Sequence, residues 1–311
     1  MKIDRIPFTT REAWLAARAQ DVTASTVACL VGAHPFMSAY ELHALKTGRI
    51  SEIADETGPM RRGRLMEPVA IELMREQKPE WHVESNRDYF RDPAARLGAT
   101  PDTIVECPHF GLGTVQVKSV ERSIFSRNWR EVDTGEIELP VGYALQVITE
   151  AHLLGAKWAA VAALVVSHDV TIEIIEVPIH AGVIETLRRA VAEFWATVAA
   201  GNVPEPDWKR DAALAARLQG DTSQFVDLST DNALPELLDE RDAAKARIKI
   251  DDERCKAIDA EIRAKVGFAA GATLPGWKIS LKTQETKAYE VAARVTRPIR
   301  ITRIKQKELA A

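Results

Sequence analysis

Apolar residues in the first two thirds of the chain switch between helical and strand spacing. Helical spacing, with apolar residues recurring at every third or fourth position, predicts helices over residues 11–20, 40–47, 60–77, 141–154 and 182–200. Alternating or nearly continuous apolar runs predict strands over residues 83–91, 97–106, 113–120, 158–167 and 170–177. This order of elements predicts an α/β fold, with a mixed sheet.

Two of these strands carry residues that indicate more than the strand itself. Val115 and Val117 alternate with Gln116 and Lys118, so the two polar side chains are expected on one face of their strand. Pro101 interrupts residues 97–106, which we therefore interpret as a strand with a turn or bulge.

A change of pattern near residue 207 predicts a domain boundary. Residues 202–207 contain two prolines, which favour a linker, so the predicted domains are 1–207 and 208–311. Helical spacing returns over residues 234–266, where we expect a helical hairpin or a helix packed on the main domain. The tail, residues 277–311, contains two strand-like runs, 277–282 and 299–304.

Charge is distributed unevenly along the 311 residues. The chain carries a net charge of −4, but residues 277–311 contain nine Lys or Arg against three Glu, a local charge of +6. The rest of the chain therefore carries −10. This asymmetry indicates either contact of the tail with a polyanion or a solvated basic tail.

Composition and short motifs exclude several classes of protein. Apolar residues are 46% and charged residues 28% of the chain, which is ordinary for a globular protein. No apolar run is long enough to cross a membrane, and no secretory signal is recognised. Three widely spaced cysteines suit a reducing cytoplasm. The seven histidines lack metal-ligand spacing, and no glycine-rich phosphate loop indicates nucleotide hydrolysis.

A set of polar residues has the composition of a cation site for phosphodiester chemistry. Asp102 precedes a strand, Gln116 and Lys118 share a strand face, and Glu67 lies on an earlier helix. Carboxylate and amide oxygens are ligands for Mg²⁺, with Mn²⁺ as a substitute. A lysine beside them can orient a water or stabilise charge on the phosphate. The spacing alone equally fits a turn aspartate and a solvated lysine.

Several stretches in a fixed order resemble one family. These stretches are residues 18–25, 60–68, 97–102, 115–118, 143–147, Trp195 and 204–207. Through them, residues 11 to about 207 resemble the YqaJ-like viral recombinases, relatives of phage lambda exonuclease in the PD-(D/E)XK nuclease superfamily. The resemblance implies a restriction-endonuclease-like core, followed here by a C-terminal helical and β extension.

The resemblance also implies roles for individual residues. Asp102 would be the central metal ligand, and Glu67 would bind or position a metal or water. Lys118 would act on the attacking water, and Gln146 would position Lys118, the water or the phosphate. Arg18 and Ser25 would hold the 5′-phosphate end of the DNA. The guanidinium of an arginine and the hydroxyl of a serine are suitable donors for a terminal phosphate.

The activity implied by the resemblance is metal-dependent exonuclease cleavage of double-stranded DNA ends. It would resect one strand 5′ to 3′ for phage-type recombination and pass single strands to an annealing protein. The resemblance also implies a ring-shaped homo-oligomer. We expect it to be encoded by a phage or prophage and to act in the cytoplasm of a bacterial host, without contact with a membrane.

Gln116 departs from the family pattern, which has Glu or Asp at this position. An amide keeps a carbonyl oxygen but loses a negative charge, so affinity for a divalent cation should fall. The residue is compatible with a tolerated natural variant, an engineered inactivating change, or a protein that binds DNA ends without cutting. Glu106 and Glu121 are weak replacements; Glu106 lies about 13 Å along the strand from Asp102.

Overall fold

The computed structural model describes residues 2–51, 56–131, 133–220, 223–285, 293 and 301. They form two units, residues 1–222 and 223–311. This division falls beyond the predicted boundary at residue 207. Asp211 is buried, and its Oδ1 accepts a hydrogen bond of 2.8 Å from the hydroxyl of Ser38, which fastens the chain after residue 207 to the first unit.

Eight α-helices occur in the described part of the chain. They are α1 Arg11–Ala19, α2 Ala39–Lys46, α3 Gly58–Gln77, α4 Arg122–Asn128, α5 Val141–Leu154, α6 Ala181–Ala199, α7 Ala212–Leu218 and α8 Leu234–Val266. Side-chain oxygens of Thr10, Ser38 and Thr57 accept backbone N–H groups at the starts of α1, α2 and α3. Gly155 ends α5 in the left-handed region, as its position after an apolar run predicts.

The strands form three sheets. They are β1 Asp4–Pro7, β2 Val22–Thr23, β3 His82–Ser85, β4 Asp88–Asp92, β5 Leu97–Ala99, β6 Thr103–Cys107, β7 Gly111–Glu121, β8 Trp158–Val166, β9 Val170–Val177, β10 Gly271–Leu274 and β11 Trp277–Ser280. The strand orders are β1-β4-β5-β2, β3-β6-β7-β8-β9 and β10-β11. The predicted mixed α/β class is confirmed, because β7 and β8 pair in parallel whereas their other neighbours pair antiparallel.

Helices cover both faces of the five-stranded sheet. Ala70, Ile71 and Met74 of α3 pack in one cluster with Val115 and Val117 of β7. On the other face, α5 packs against alternate residues of β8. Leu153 of α5 also belongs to the core beneath the four-stranded sheet, so α5 lies between the two sheets. Such a helix is apolar on most sides, which explains its nearly continuous apolar sequence.

Residues 83–91 and 97–106, each predicted as one strand, divide between two sheets. The chain leaves β3 for β4 at Asn86 and leaves β5 for β6 around Pro101, which has no N–H to continue a ladder. These two places where the chain passes from one sheet to the other, at residue 86 and at residues 100–102, are called the crossings below. Hydrogen bonds join them: Asn86 N–H donates to the carbonyl of Asp102 at 3.0 Å, and Asn86 Nδ2 donates to the carbonyl of Pro101 at 2.9 Å. Because the strands part here, a polar opening forms between the sheets.

The second unit contains one long helix and a hairpin. Residues 234–266 are helical, as predicted, but the hairpin alternative is wrong, because α8 runs unbroken for 33 residues. None of these residues is buried. No Gly interrupts it, and ion pairs one turn apart, such as Lys265 with Glu261 at 2.9 Å, support it along its surface. Strand β11 falls within the predicted run 277–282, whereas the predicted strand 299–304 lies outside the described residues except for residue 301.

Candidate active site

A polar pocket of about 300 Å³ lies where the two sheets part. Its walls come from the ends of β2 and β5, the two crossings, β7, α1, α3 and α5. Six of the seven predicted site residues line it: Arg18, Ser25, Glu67, Asp102, Gln116 and Gln146. Lys118, the seventh, joins them through a hydrogen bond to Gln146.

The pleat of β7 explains why Gln116 and Lys118 face the pocket. Val115 and Val117 pack with α3, so the alternate residues point toward α5 on the opposite face, as the sequence predicts. Helix α5 presents Gln146 to them. The polar face of β7 is therefore enclosed rather than solvated, and Gln116 is 5% exposed.

Asp102 is fixed where the ladder between β6 and β7 ends. The last paired residues are Val105 and Gly113. Beyond them the hydroxyl of Thr103 donates to the carbonyl of Val115 at 2.8 Å and replaces a ladder bond. Asp102 Oδ2 then accepts the N–H of Val117 at 2.9 Å. The carboxylate is thus held at the edge of the sheet, beside the pocket.

Gln116 is both a partner of Asp102 and an incompletely bonded amide. Its Nε2 donates to Asp102 Oδ2. Its Oε1 is buried and has no hydrogen-bond partner among the described residues. A buried acceptor left without a partner is unfavourable by about 1–3 kcal/mol, so this oxygen is suited to a ligand entering the pocket.

Lys118, Gln146 and Glu150 form a chain of hydrogen bonds. Lys118 Nζ donates to Gln146 Oε1 at 2.9 Å, and Gln146 Nε2 donates to Glu150 Oε1 at 2.9 Å. A lysine can only donate and a carboxylate can only accept, so the two contacts together set the orientation of the Gln146 amide. The ring of Tyr143 lies 4.9 Å from Lys118 Nζ and provides a cation–π contact.

Glu150 is a pocket residue that the sequence analysis missed. It lies one turn after Gln146 on α5, lines the same pocket and is 1% exposed. Its Oε2 has no hydrogen-bond partner among the described residues. The available signal was a carboxylate four residues after a predicted site glutamine, within an otherwise apolar helix, because such positions share a helix face.

The carboxylates of the pocket repel one another when they are ionised, which raises their pKa values. Burial and the nearby Asp102 raise the pKa of Glu67 to about 7. Burial and Asp102 also raise the pKa of Glu150. Burial raises the pKa of Asp102, although Lys118 and the N–H of Val117 act against this increase. A positive ligand would relieve the repulsion among these groups.

Arg18 and Ser25 lie together at another wall of the pocket. Arg18 Nη2 donates to Ser25 Oγ at 3.4 Å, and the guanidinium stacks on Trp14 at 4.2 Å from the ring centre. The hydroxyl of Thr23 lies 3.0 Å from Ser25 Oγ. Trp14 is held in turn by a 3.0 Å hydrogen bond from its Nε1 to Thr100 Oγ1. This corner presents a guanidinium and hydroxyls, which are donors suited to a phosphate.

A groove of about 690 Å³ shares Trp14 and Thr100 with the pocket. Arg11, Arg64 and Arg87 line this groove together with Phe8. Arg64 pairs there with Glu56 through two contacts of 2.7 and 2.9 Å. The groove thus adds cationic and aromatic surface directly beside the pocket.

The two replacement carboxylates considered from the sequence lie elsewhere. Glu106 lines a separate cavity with His82 and Cys107. Glu121 pairs with Arg62 at 3.1 Å. Among the described residues, no three Asp, Glu, His or Cys side chains are close enough to hold a metal ion by themselves. A cation here would keep water or substrate oxygens as additional ligands, which is usual for Mg²⁺.

The described helices include none that is long and apolar enough to span a membrane.

The solved structures to which this chain is similar include two exonucleases. The alkaline exonuclease LHK-Exo from Laribacter hongkongensis is 22% identical, with a TM-score of 0.47, over 67% of this chain and 100% of that chain. A phage-related exonuclease from Haemophilus somnus 129PT is 12% identical, with a TM-score of 0.43, over 58% of this chain and 96% of that chain. No curated protein is significantly similar in sequence.

The family comparison covers the part of the chain that builds the pocket. Residues 13–157 match the model of the YqaJ-like viral recombinase domain. This segment contains all seven predicted site residues and also Glu150. The resemblance of this chain to the YqaJ-like viral recombinases is therefore confirmed over residues 13–157.

Proposed function

We propose that this protein is a metal-dependent deoxyribonuclease that removes nucleotides from the ends of double-stranded DNA. The observation that carries the proposal is the convergence of Asp102, Gln116, Glu67 and the Lys118–Gln146 pair on one pocket. The family match over the same segment supports it.

The donor set fits a hard divalent cation. Asp102 and Glu67 offer carboxylates. Gln116 Oε1, which has no hydrogen-bond partner within the described part of the chain, offers a neutral oxygen. Mg²⁺ is commonly held by one or two carboxylates with water and phosphate oxygens, and Mn²⁺ accepts the same ligands. When bound, the cation supplies an acidified water and neutralises charge on the scissile phosphate.

The other residues of the pocket position the water and the phosphate. Lys118, held by Gln146, places a positive charge beside Asp102, where it orients the attacking water or offsets charge that develops on the phosphate. Gln146 keeps its carbonyl turned toward Lys118 because Glu150 accepts its N–H.

Arg18 and Ser25 bind the 5′-terminal phosphate in this proposal, which places the first phosphodiester next to Asp102. The adjoining groove with Arg11 and Arg87 then carries further nucleotides, with Phe8 and Trp14 as surfaces for bases. Removal of nucleotides from a phosphorylated 5′ end gives resection in the 5′ to 3′ direction.

The cellular role that we propose is phage-type recombination. The resected duplex would expose a single strand for an annealing protein, in the cytoplasm of a bacterial host. A ring of several copies would keep the enzyme on its DNA; the family resemblance motivates this assembly.

Gln116 favours one alternative function, binding of DNA ends without cleavage. Its neutral amide lowers the number of negative charges available to a cation and bonds Asp102 directly. A protein with too little affinity for the cation would retain the phosphate-binding corner of Arg18 and Ser25 but lack the nucleophile.

A digestion assay, run beside a measurement of binding to the same duplex ends without Mg²⁺, separates these functions. A 5′-phosphorylated linear duplex is incubated with and without Mg²⁺, using the natural chain, Asp102→Asn, Gln116→Glu and the exposed control Asp133→Asn. We expect Mg²⁺-dependent release of nucleotides, reduced in Asp102→Asn by more than the roughly 10–100-fold typical of outer-shell losses, with end binding retained.

Three results of this assay would change the conclusion. Cleavage by Gln116→Glu but not by the natural chain establishes the end-binding alternative. Full activity in Asp102→Asn refutes the assignment of the site. Absence of both cleavage and end binding in all four proteins refutes both functions.

A further inference from the structure

Glu150 is a buried acid in the pocket with unused bonding capacity. Of its two carboxylate oxygens, Oε1 accepts from Gln146 and Oε2 has no hydrogen-bond partner among the described residues. Buried carboxylate oxygens are normally bonded or paired, because burial removes the water that would otherwise stabilise the charge. This oxygen is therefore suited to a positive or proton-donating ligand.

The same pocket contains a second oxygen in the same condition. Gln116 Oε1 is buried and has no partner among the described residues, and both side chains line the pocket beside Asp102. Neither oxygen can donate a proton, so they cannot satisfy one another when Glu150 is ionised. Lys118 Nζ is already directed at Gln146. A divalent cation in the pocket, with its bound waters, would offer both oxygens a positive or hydrogen-donating partner.

The distribution of charge indicates what Glu150 contributes. Residue 116 lies on β7 and faces Asp102, which precedes β6. An acidic residue at position 116 would add a negative charge beside that of Asp102; the amide adds none. Helix α5 covers that face of β7 and brings an acidic side chain to the pocket from the opposite wall. The affinity of oxygen sites for divalent cations rises with the number of charged ligands.

We propose that Glu150 supplies the negative charge that residue 116 lacks, so that the cation site is completed by a carboxylate from α5 instead of one from β7. This inference rests on the proposed function, because it takes the cation to be held at Asp102. It implies that positions 116 and 150 are alternatives: a carboxylate at either one suffices.

An exchange experiment tests this equivalence through Mn²⁺ binding in the absence of DNA. Free Mn²⁺ is measured by electron paramagnetic resonance in titrations of the natural chain, Glu150→Gln, Asp102→Asn and the double variant Gln116→Glu/Glu150→Gln. Glu193→Gln, at an exposed position of α6, is the matched control. Glutamine keeps the size of the side chain and its acceptor for Gln146, and circular dichroism reports the fold of each variant.

We expect Glu150→Gln to bind Mn²⁺ at least about tenfold more weakly, as does Asp102→Asn. The double variant should return to within about threefold of the natural chain, and Glu193→Gln should be unchanged. If Glu150→Gln does not fold without metal, the proteins are titrated from a starting Mn²⁺ concentration that keeps the double variant folded by mass action. The double variant then decides, because it carries the same change at position 150 with the charge restored at 116.

Two results would overturn the inference: unchanged Mn²⁺ affinity in Glu150→Gln, or a double variant that remains about tenfold weaker than the natural chain. Weak binding in Asp102→Asn together with either result leaves the proposed function in place and removes only the role of Glu150. Unchanged affinity in Asp102→Asn removes the cation site on which both proposals rest.

Discussion

The contact between Gln116 and Asp102 makes the substitution Gln116→Glu a direct test of the site. In the natural chain, the amide N–H of Gln116 donates to the carboxylate of Asp102. A glutamate of the same size places a second carboxylate against the first. The substitution should therefore weaken the fold when no metal is present and strengthen the response to metal.

The size of the effect follows from the two interactions that change. Loss of a hydrogen bond to a charged group removes about 1.5–3 kcal/mol. Two unit charges about 4 Å apart repel by about 4 kcal/mol at an effective dielectric constant of about 20. The pair avoids much of this repulsion if one carboxylate takes up a proton, which near pH 8 requires about 5 kcal/mol for a glutamate with an ordinary pKa.

Burial already raises the pKa of Asp102, so the shared proton is easier to acquire than for an isolated group. We expect Gln116→Glu to lower the free energy of unfolding by up to about 5 kcal/mol at pH 8 without metal. Near pH 5 the loss should shrink to about 1 kcal/mol, because a protonated glutamate can donate to Asp102 as the amide does.

The sign of the pH dependence follows from proton linkage. The folded variant holds a proton between residues 116 and 102 more tightly than the unfolded chain does, so the pKa in the folded state is raised. Stability is therefore lost progressively as pH rises above the ordinary carboxylate pKa. Mg²⁺ should reverse the loss, since the cation binds the folded charged pair and stabilises it by mass action.

The assay is urea unfolding followed by circular dichroism, between pH 5 and 8, in EDTA and in Mg²⁺. Gln224→Glu, an exposed glutamine outside the site, controls for the added charge. The nuclease rate against Mg²⁺ concentration is measured in parallel, and its midpoint should fall in Gln116→Glu. Equal stability of Gln116→Glu and the natural chain at pH 8 in EDTA would refute the contact with Asp102 and the electrostatic reasoning built on it.

Three further predictions concern the rest of the site and the tail. Arg18→Ala should erase most of a preference for 5′-phosphorylated over 5′-hydroxyl duplex ends, measured as the ratio of digestion rates, and an unchanged ratio would place the phosphate pocket elsewhere. The pKa of Glu67 is raised to about 7, so its charge opposes folding increasingly from about pH 4.5 to 7. Glu67→Gln should therefore stabilise the metal-free protein at pH 8 by about 1–2 kcal/mol after allowing for solvent screening, but not at pH 4, in the same urea assay; equal effects at both pH values would contradict the shift. Deletion of residues 277–311 should flatten the slope of log affinity against log salt by roughly 0.9 per lost phosphate contact on duplex DNA, provided that folding and oligomeric state are kept; an unchanged slope would exclude the tail from DNA contact.

Local sequence patterns were sufficient for features that depend on the side-chain period of a strand and on nearby turns. The alternation at 115–118 predicts which β7 residues face the pocket, because side chains in a strand alternate whatever packs against them. Strand β9 has the predicted bounds, 170–177, since the turn before it and the apolar run of β8 fix the hairpin. These features depend on period and local stop signals alone.

The sheet crossings could not be predicted from the same patterns. Residues 97–106 keep a strand-like composition throughout, and Pro101 signals an interruption but not a change of partner. The sheet that β6 joins is decided by its pairing with β3 and β7. No local pattern in the sequence marks these two strands as its partners. Glu150 was missed for a related reason: an acid in an apolar helix acquires a role only when tertiary packing brings it to other polar groups.

The position of α5 between the two sheets connects the two halves of the proposed chemistry. Arg18 and Ser25 belong to the side of the pocket formed by α1 and the end of β2, whereas Lys118 belongs to β7 of the other sheet. Helix α5 packs on both and carries Gln146 between them. Densely packed cores resist compression, so the spacing between the phosphate-binding corner and the reactive groups is set by the core rather than by loops. Cleavage at a constant distance from a bound 5′ phosphate requires such a fixed spacing. Substitutions that loosen the packing of α5 should therefore make the cleavage position, and so the length of the released product, more variable before they abolish cleavage.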